Sequence, residues 1–443
     1  MNRTADSKSF HITTFGCQMN LADSGTLVDL MRRRGHRRVT DPAEADLLVL
    51  NTCSVRDKAE QRVIGRLWDM LKYKQARDGV MIAVIGCMAQ RLGRALIEQV
   101  PHVDFVLGPD RLFELPDLLL DPNESERVRT TFGYDDMDAI EPVRHTDFSA
   151  FVTVSRGCDN YCTYCIVPHV RGRERAHSPR QIVASIRRLV DEGVVEIMLL
   201  GQNVNSYRHG DVDFPGLLAR ILNETDVARI RFMTSHPKDL SEALIDVMAG
   251  NERMMPHVHL PLQSGSDRVL KMMGRGYSLT HYLGIVEKLR ARLDYLSLTT
   301  DLIVGFPSET EAEYRMTLDA VRRIEYDAAF MFRYSVREGT EAAGYDDDVP
   351  EQEKIGRLTE LIELQQAISQ KRNQREVGRV WPCLIEGRSR RSKKELRART
   401  PGNKIVLFPA ASVAAGTVVS IRITVADAFT LHGEVAEKVP CLR

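Results

Sequence analysis

The stretch FVTVSRGCDNYCTYC, Phe151–Cys165, sets a short apolar run directly against three cysteines spaced C-x3-C-x2-C, at Cys158, Cys162 and Cys165. Its β-branched and aromatic residues predict a buried strand, which the Arg-Gly pair ends. Five similar runs follow: VEIMLLGQ (195–202), IRFMTSH (230–236), HVHLPL (257–262), LSLTTDLIVGF (296–306) and AAFMFRYS (328–335). Helical patterns such as SPRQIVASIRRLVDEG and SLTHYLGIVEKLRARL separate them. Six strand–helix units predict a partial (β/α)6 TIM-like barrel, short of the eight units of a closed one. The three cysteines then lie at the carboxyl end of its first strand, on the rim where barrel active sites sit.

Working outward, the preceding region repeats the alternation. FHITTFG (Phe10–Gly16), DLLVLNT (Asp46–Thr52), MIAVIG (Met81–Gly86) and VDFVLG (Val103–Gly108) read as strands buried on both faces. LADSGTLVDLMRRRG and VRDKAEQRVIGRLWDMLKYK read as helices between them. The expectation is an N-terminal doubly wound parallel α/β domain over 8–124. The polar stretch DPNESERVRTTFGYDDMDAIEP reads as a linker. The barrel domain is expected over 144–374, with one long polar helix pattern at Glu351–Glu376 leading out of it. Short strands with Gly and Pro turns predict a small C-terminal β-barrel over 376–440.

Cys17, Cys53 and Cys87 each follow directly on the end of one of the N-terminal strands. In an open parallel sheet those ends share one rim, where ligands bind. Three thiols far apart in sequence therefore meet in space. A free cysteine alone is usually a small buried hydrophobe, so it is the shared placement that is informative.

Hydrophobic content of 43% and charged content of 28% are those of a globular protein. The formal charge is zero, so affinity for nucleic acid must come from a local patch. No run of eighteen apolar residues and no apolar stretch in MNRTADSKSF predict a cytoplasmic protein with no membrane partner. In that compartment eight cysteines are more readily metal ligands or catalytic thiols than disulfides.

Soft thiolates select zinc, copper(I) or iron–sulfur clusters. Zinc would need a fourth ligand after Cys158, Cys162 and Cys165, and His169 is near enough to be considered. A 4Fe–4S cube held by three thiolates leaves one iron open to a small molecule, as chemistry at a cluster requires.

With these motifs the chain resembles the radical S-adenosylmethionine (radical SAM) enzymes. TFGCQMN, NTCSVRDKAEQRV, GCMAQR, RGCDNYCTYCIVPHVRGRERAHSP, LLGQNVNSY, HLPLQSGSDRVLKMMGRGY and DLIVGFPSET extend the resemblance to the methylthiotransferase family along nearly the whole chain. His169 and Ser308 depart from the family pattern, which has Tyr and Gly there. The resemblance implies two 4Fe–4S clusters, the radical SAM cluster on Cys158, Cys162 and Cys165 and an auxiliary one on Cys17, Cys53 and Cys87. It implies S-adenosylmethionine (SAM) as cofactor, with Tyr164 near its adenine. It also implies a TRAM domain, an RNA-binding module, as the C-terminal barrel.

The activity implied is methylthiolation of carbon 2 of N6-isopentenyl (dimethylallyl) adenosine at tRNA position 37. One SAM would be methyl donor and another radical source, and no catalytic side chain beyond the clusters would be needed. Related substrates are threonylcarbamoyladenosine in tRNA or an aspartate of a ribosomal protein. The reading of another class is a non-enzymatic iron–sulfur RNA-binding sensor, with no open iron. Expected partners are the tRNA anticodon stem-loop, an electron donor such as flavodoxin or ferredoxin, and an Fe–S carrier that rebuilds the auxiliary cluster. A monomer is expected.

Polar groups at the barrel strand ends are candidates to hold SAM: Gly201, Gln202 and Asn203 after the second strand, Ser235 after the third, Gln263 and Ser264 after the fourth, and Gly305 after the fifth. His257 and His259 share one strand face, which suits packing or a hydrogen bond better than a metal. Between Arg379 and Lys404 nine Lys/Arg stand against two Asp/Glu. Arg388, Arg390, Arg391, Lys393, Lys394, Arg397 and Arg399 are therefore candidate phosphate contacts. Arg171, Arg173 and Arg175 either meet phosphates near the base or pair with carboxylates. Cys383 and Cys441 lack partners at ligand spacing and read as structural.

Overall fold

The computed structural model describes residues 7–54, 57–120, 126–133, 143–389, 392, 394–410 and 412–436. Arg390, Arg391, Lys393 and Cys441 lie outside the described residues.

The N-terminal domain runs Ser9–Thr14 (β1), Gln18–Arg33 (α1), Arg37–Arg38 (β2), Leu47–Thr52 (β3), Asp57–Ala76 (α2) and Met81–Gly86 (β4). It continues with Cys87–Leu92 (α3), Arg94–Gln99 (α4), Phe105–Leu107 (β5), Leu115–Leu118 (α5) and Val128–Arg129 (β6). The strands form one parallel sheet in the order β2-β1-β3-β4-β5-β6. Every residue of β3 is buried, and successive side chains enter different cores. Leu47 and Val49 pack with α1, whereas Leu48 and Leu50 pack with α2. This is the period of two of a strand covered by helices on both faces. The chain reverses direction across the sheet between β1 and β3, the switch point at which such folds open a ligand crevice. The expected linker is corrected in part, because its Val128–Arg129 pairs with the free edge of β5.

The barrel begins with Val143–Arg144 (β7) and Ser149–Thr153 (β8), followed by a closed-base loop between Ser155–Arg156 (β9) and Arg175–Ala176 (β10), with Val167–Arg171 (α6) inside it. Then come Glu196–Leu200 (β11), a hairpin of Arg208–His209 (β12) and Val212–Asp213 (β13), Arg229–Phe232 (β14), His257–His259 (β15), Ser297–Val304 (β16) and Ala328–Arg333 (β17). All six expected parallel strands are present, in two arcs ordered β14-β11-β8-β7 and β15-β16-β17. A bridge from Ile230 to Met254 continues the first arc toward the second. Ser178 and Ser278 cap the helices Pro179–Asp191 and Leu279–Arg292, as hydroxyls at helix starts do. His257 and His259 both meet the Thr299 hydroxyl, at 3.1 and 3.0 Å, so they serve hydrogen bonding.

The helix Glu351–Gln374 leads to a closed barrel of Val380–Arg388 (β18), Glu395–Arg399 (β19), Ile405–Pro409 (β20), Val418–Ala426 (β21) and Leu431–Val435 (β22). Cys383 lies in its apolar core. The small barrel docks on the strand starts of the large one through a buried polar plug. Glu196 pairs with Arg229 and Arg231 at 3.0 and 2.8 Å. Arg231 donates onward to the Thr400 and Pro401 carbonyls at 2.8 Å each. These groups neutralise one another and satisfy backbone acceptors, which makes their burial tolerable. Among the described residues no helix is long and apolar enough to cross a membrane.

Candidate active site

The cysteines fall where strand ends put them. Cys17 precedes α1, Cys53 follows β3 and Cys87 opens α3, so Cys17 and Cys53 flank the switch point. Cys87 is buried and close enough to Cys17 for their charges to interact. Cys158, Cys162 and Cys165 all lie in the β9–β10 loop, within electrostatic range of one another. Among the described residues no three His, Cys, Asp or Glu side chains are grouped tightly enough to share one metal ion.

The loop is tied down locally. Gly157 has φ +81°, and a Cβ there would lie 2.0 Å from the Arg173 carbonyl oxygen. The Cys158 N–H donates to the Gly172 carbonyl at 3.1 Å. Burial pushes the Cys158 thiol up to about 11 and the Cys165 thiol up to about 12. Both are therefore protonated at neutral pH until a metal displaces the proton.

Two arginines stand at the thiols: Arg275, missed in the sequence, and Arg171, expected there at a phosphate or a carboxylate. Arg275 is buried and donates from one guanidinium nitrogen to Cys162 Sγ at 3.3 Å and from another to the Pro261 carbonyl. Arg171 lies within electrostatic range of Cys87 and buries its Nη1 with no partner among the described residues. A third, Arg337, lies within electrostatic range of Cys53. No local motif marks these contacts, because each arginine is remote in sequence from the sulfur it meets.

The same fold settles the VRGRER arginines in favour of carboxylates. Arg171 donates to Asp23 Oδ2 at 2.9 Å and Arg156 to Asp23 Oδ1 at 2.7 Å. Arg173 pairs with Asp159 at 2.7 Å, and Arg175 with Asp110 at 2.8 Å. Asp23 is 0% exposed, and its two arginines are 3% and 4% exposed. Burial alone would raise the Asp23 pKa, but the two guanidiniums outweigh it and hold the carboxyl below its usual range. Asp23 belongs to the N-terminal domain and both arginines to the barrel, so this triad locks the domains together. Around it Cys87 packs on Ile166 and Val170. Cys87 thus touches the loop that carries Cys158, Cys162 and Cys165.

The SAM candidates divide. Gln202, Asn203, Ser235 and Gln263 each bury a polar atom with no partner among the described residues, respectively Nε2, Oδ1, Oγ and Oε1. Ser155 Oγ and His236 Nε2 are in the same condition. Buried polar groups are normally paired, so a rim with several orphans fits a small polar ligand such as the cofactor. Gln263 is held there in the left-handed region, at φ 72°. Burial drives the His236 ring down to about 2, leaving it neutral. Gln202 also accepts the Gly157 N–H, tying the second strand end to the cysteine loop.

Tyr164 is packed edge-on against Phe306. Gly201 allows close approach to Ser155, whose Oγ would lie 2.6 Å from a Cβ. Ser264 and Gly305 have local roles instead. Ser264 Oγ accepts the Ser266 N–H, and Gly305 leaves room for Lys354, whose Cγ would lie 2.4 Å from a Cβ. Glu174, also missed, accepts the Ser206 hydroxyl at 2.7 Å near Cys158, and burial raises its pKa.

Of the basic candidates, Arg388 and Lys394 are exposed, while Arg397 and Arg399 both turn to Glu386. Ser308 has φ +60°, a backbone that favours glycine, which explains the residue its resemblance leads one to expect.

Comparison with known proteins matches three segments of the chain. The Radical SAM superfamily matches residues 152–321, the TRAM domain 374–436, and the Uncharacterized protein family UPF0004 residues 9–108. The chain is 44% identical to a tRNA-2-methylthio-N(6)-dimethylallyladenosine synthase of Moorella thermoacetica, across 97% of this chain and 99% of that one. It is 43% identical to a protein of the same name from Carboxydothermus hydrogenoformans, across 96% and 99%. In fold it is similar to the radical SAM methyltransferase TsrM of Kitasatospora setae, with TM-score 0.57 and 13% identity over 74% of this chain and 75% of that one.

Proposed function

The chain belongs to the family of tRNA-2-methylthio-N(6)-dimethylallyladenosine synthases, and on that premise we propose how its parts divide the work. It is a radical SAM transferase that places a methylthio group on carbon 2 of N6-dimethylallyladenosine beside the tRNA anticodon, at position 37. In the proposal, 8–124 carries an auxiliary cluster on Cys17, Cys53 and Cys87, 144–374 carries the radical SAM cluster on Cys158, Cys162 and Cys165, and 376–440 grips RNA.

When bound, the clusters and SAM supply the radical that removes an unactivated ring hydrogen and the methylthio group that replaces it. The chain's own residues position and shield. Gln202, Asn203, Ser235 and Gln263 offer their orphaned atoms to SAM, with Tyr164 and Gly201 bounding the space; Ser264 and Gly305 shape the turns beneath. Cys87 against Ile166 and Val170 is the observation that carries the reading, because it sets one thiol of the N-terminal domain against the loop that bears Cys158, Cys162 and Cys165. A single adenine can be reached from both sides there. The base leaves the loop stack at a cost of a few kcal/mol, less in a single-stranded loop.

Arg388, Arg390, Arg391, Lys393 and Lys394 are proposed to meet phosphates, with Arg397 and Arg399 aligned by Glu386. The small barrel docks on the strand starts, whereas the cysteine loop lies at strand ends. About 15 Å separate these rims, taking the five residues of β8 at 3.3 Å per residue. That separation supports a division in which the RNA-binding module meets the stem and the cysteine loop the reacting base. A flavodoxin- or ferredoxin-type electron donor, an Fe–S carrier, a monomeric state and a cytoplasmic location belong to the same proposal.

The test is an anaerobic reaction of cluster-loaded, reduced protein with SAM and isopentenylated tRNA, followed by nucleoside mass spectrometry. A methylthio mass gain, lost in Cys17→Ala and in Cys158→Ala, is expected. Formation of 5′-deoxyadenosine without that gain would reject the substrate. No product and no SAM binding would reject the enzyme in favour of a sensor.

A further inference from the structure

Arg171 sits on the cysteine loop of the barrel, yet its side chain serves the other domain. It ends α6, one short helix after Cys165. Ile166 and Val170, at the same segment, are packed on Cys87. The guanidinium donates to the Asp23 carboxylate at 2.9 Å and is 4% exposed, lies within electrostatic range of Cys87, and buries Nη1 with no partner among the described residues. Asp23 is gripped a second time by Arg156, whose guanidinium lies over the Phe113 ring at 5.5 Å. Arg171 therefore cannot swing away from the sulfur without breaking a buried carboxylate pair.

Resting on the cluster reading above, we propose that Arg171 is a positioning residue for the auxiliary cluster, a donor sent from one cysteine loop to a ligand of the other domain's cluster. Donation to a cluster sulfur and a fixed positive charge in a dry site both favour the more negative, reduced state. Arg171 thereby raises the potential of the auxiliary cluster. Through α6 it also fixes where Cys87 stands relative to Cys165. Arg156, which faces Asp23 and the Phe113 ring, clamps the domains instead.

The test uses the full chain carrying Cys158→Ala, Cys162→Ala and Cys165→Ala together, so that only the auxiliary cluster assembles. Iron is counted, then the cluster is titrated with dithionite under electron paramagnetic resonance, with Arg171, with Arg171→Lys and with Arg171→Met. The expected result is one cluster in each, a more negative potential and altered g-values in Arg171→Met, and intermediate values in Arg171→Lys. In the six-cysteine enzyme Arg171→Met should release several-fold more 5′-deoxyadenosine per methylthiolated nucleoside. An unchanged potential and spectrum in Arg171→Met would overturn the proposal and leave a merely structural arginine. If that variant fails to fold, an unchanged potential and spectrum in Arg171→Lys overturns it. No cluster in the Arg171 parent, with Cys17, Cys53 and Cys87 intact, would instead strike the cluster reading and the proposal with it.

Discussion

Replacing Asp23 by Asn removes one charge from the domain boundary and leaves the shape. The carboxylate accepts from Arg156 and Arg171 at 2.7 and 2.9 Å, with all three side chains at most 4% exposed. Asn keeps one acceptor oxygen but turns an amide donor toward the second guanidinium. Two hydrogen bonds to charged groups amount to roughly 3–6 kcal/mol. Breaking a buried ion pair costs about 3–5 kcal/mol, because the stranded charge stays desolvated. A loss near 3 kcal/mol corresponds to about a 100-fold rise in the open population.

Hydrogen exchange across α1 and α6 in the intact chain reads this opening. Protection there should fall about 100-fold in Asp23→Asn. Asp159→Asn, which breaks the pair with 75%-exposed Arg173, should leave it unchanged. The pH dependence has a defined sign. A carboxyl held below its ordinary value contributes fully above about pH 3.9 and loses that contribution as pH falls through the folded value. Wild-type α1 and α6 should therefore lose protection in acid below that value, and Asp23→Asn should lose none of its remaining protection by this route. A change under about 1 kcal/mol in Asp23→Asn would refute the lock, since an effect that small is typical of solvent-exposed pairs.

Gly157→Ala places a Cβ 2.0 Å from the Arg173 carbonyl oxygen at φ +81°, so the cysteine loop cannot close; iron and sulfide per chain should fall by one cluster's worth, with the other cluster kept. Because the Cys158 and Cys165 thiols stand near 11 and 12, cluster loading releases protons, so reconstitution followed at 400 nm should become less favourable as pH is lowered from about 9 to 7. Lys394 is exposed on the basic hairpin, and Lys394→Ala should weaken tRNA binding and reduce the slope of log affinity against log salt by about 1 in a filter-binding series.

The strands that precede the cysteines were legible in the sequence because each is a local pattern. A buried strand followed by Cys is written in about eight consecutive residues, and the rule that parallel strand ends share a rim does the rest. The orphaned atoms of Gln202, Asn203, Ser235 and Gln263 were reached the same way, by counting to strand ends. That same counting could not tell them from Ser264 and Gly305, which face neighbours in the fold.

What only the tertiary structure decided are contacts between charges far apart along the chain. Arg171 finds Asp23 across 148 residues and Arg175 finds Asp110 across 65, so their choice of carboxylate over phosphate had no local signature. Arg275 beside Cys162 and Arg171 beside Cys87 were hidden for the same reason. Residue pattern determines which face of an element is buried. Which buried charge meets which is set only when two elements dock, because desolvation then leaves each charge only the partners within reach.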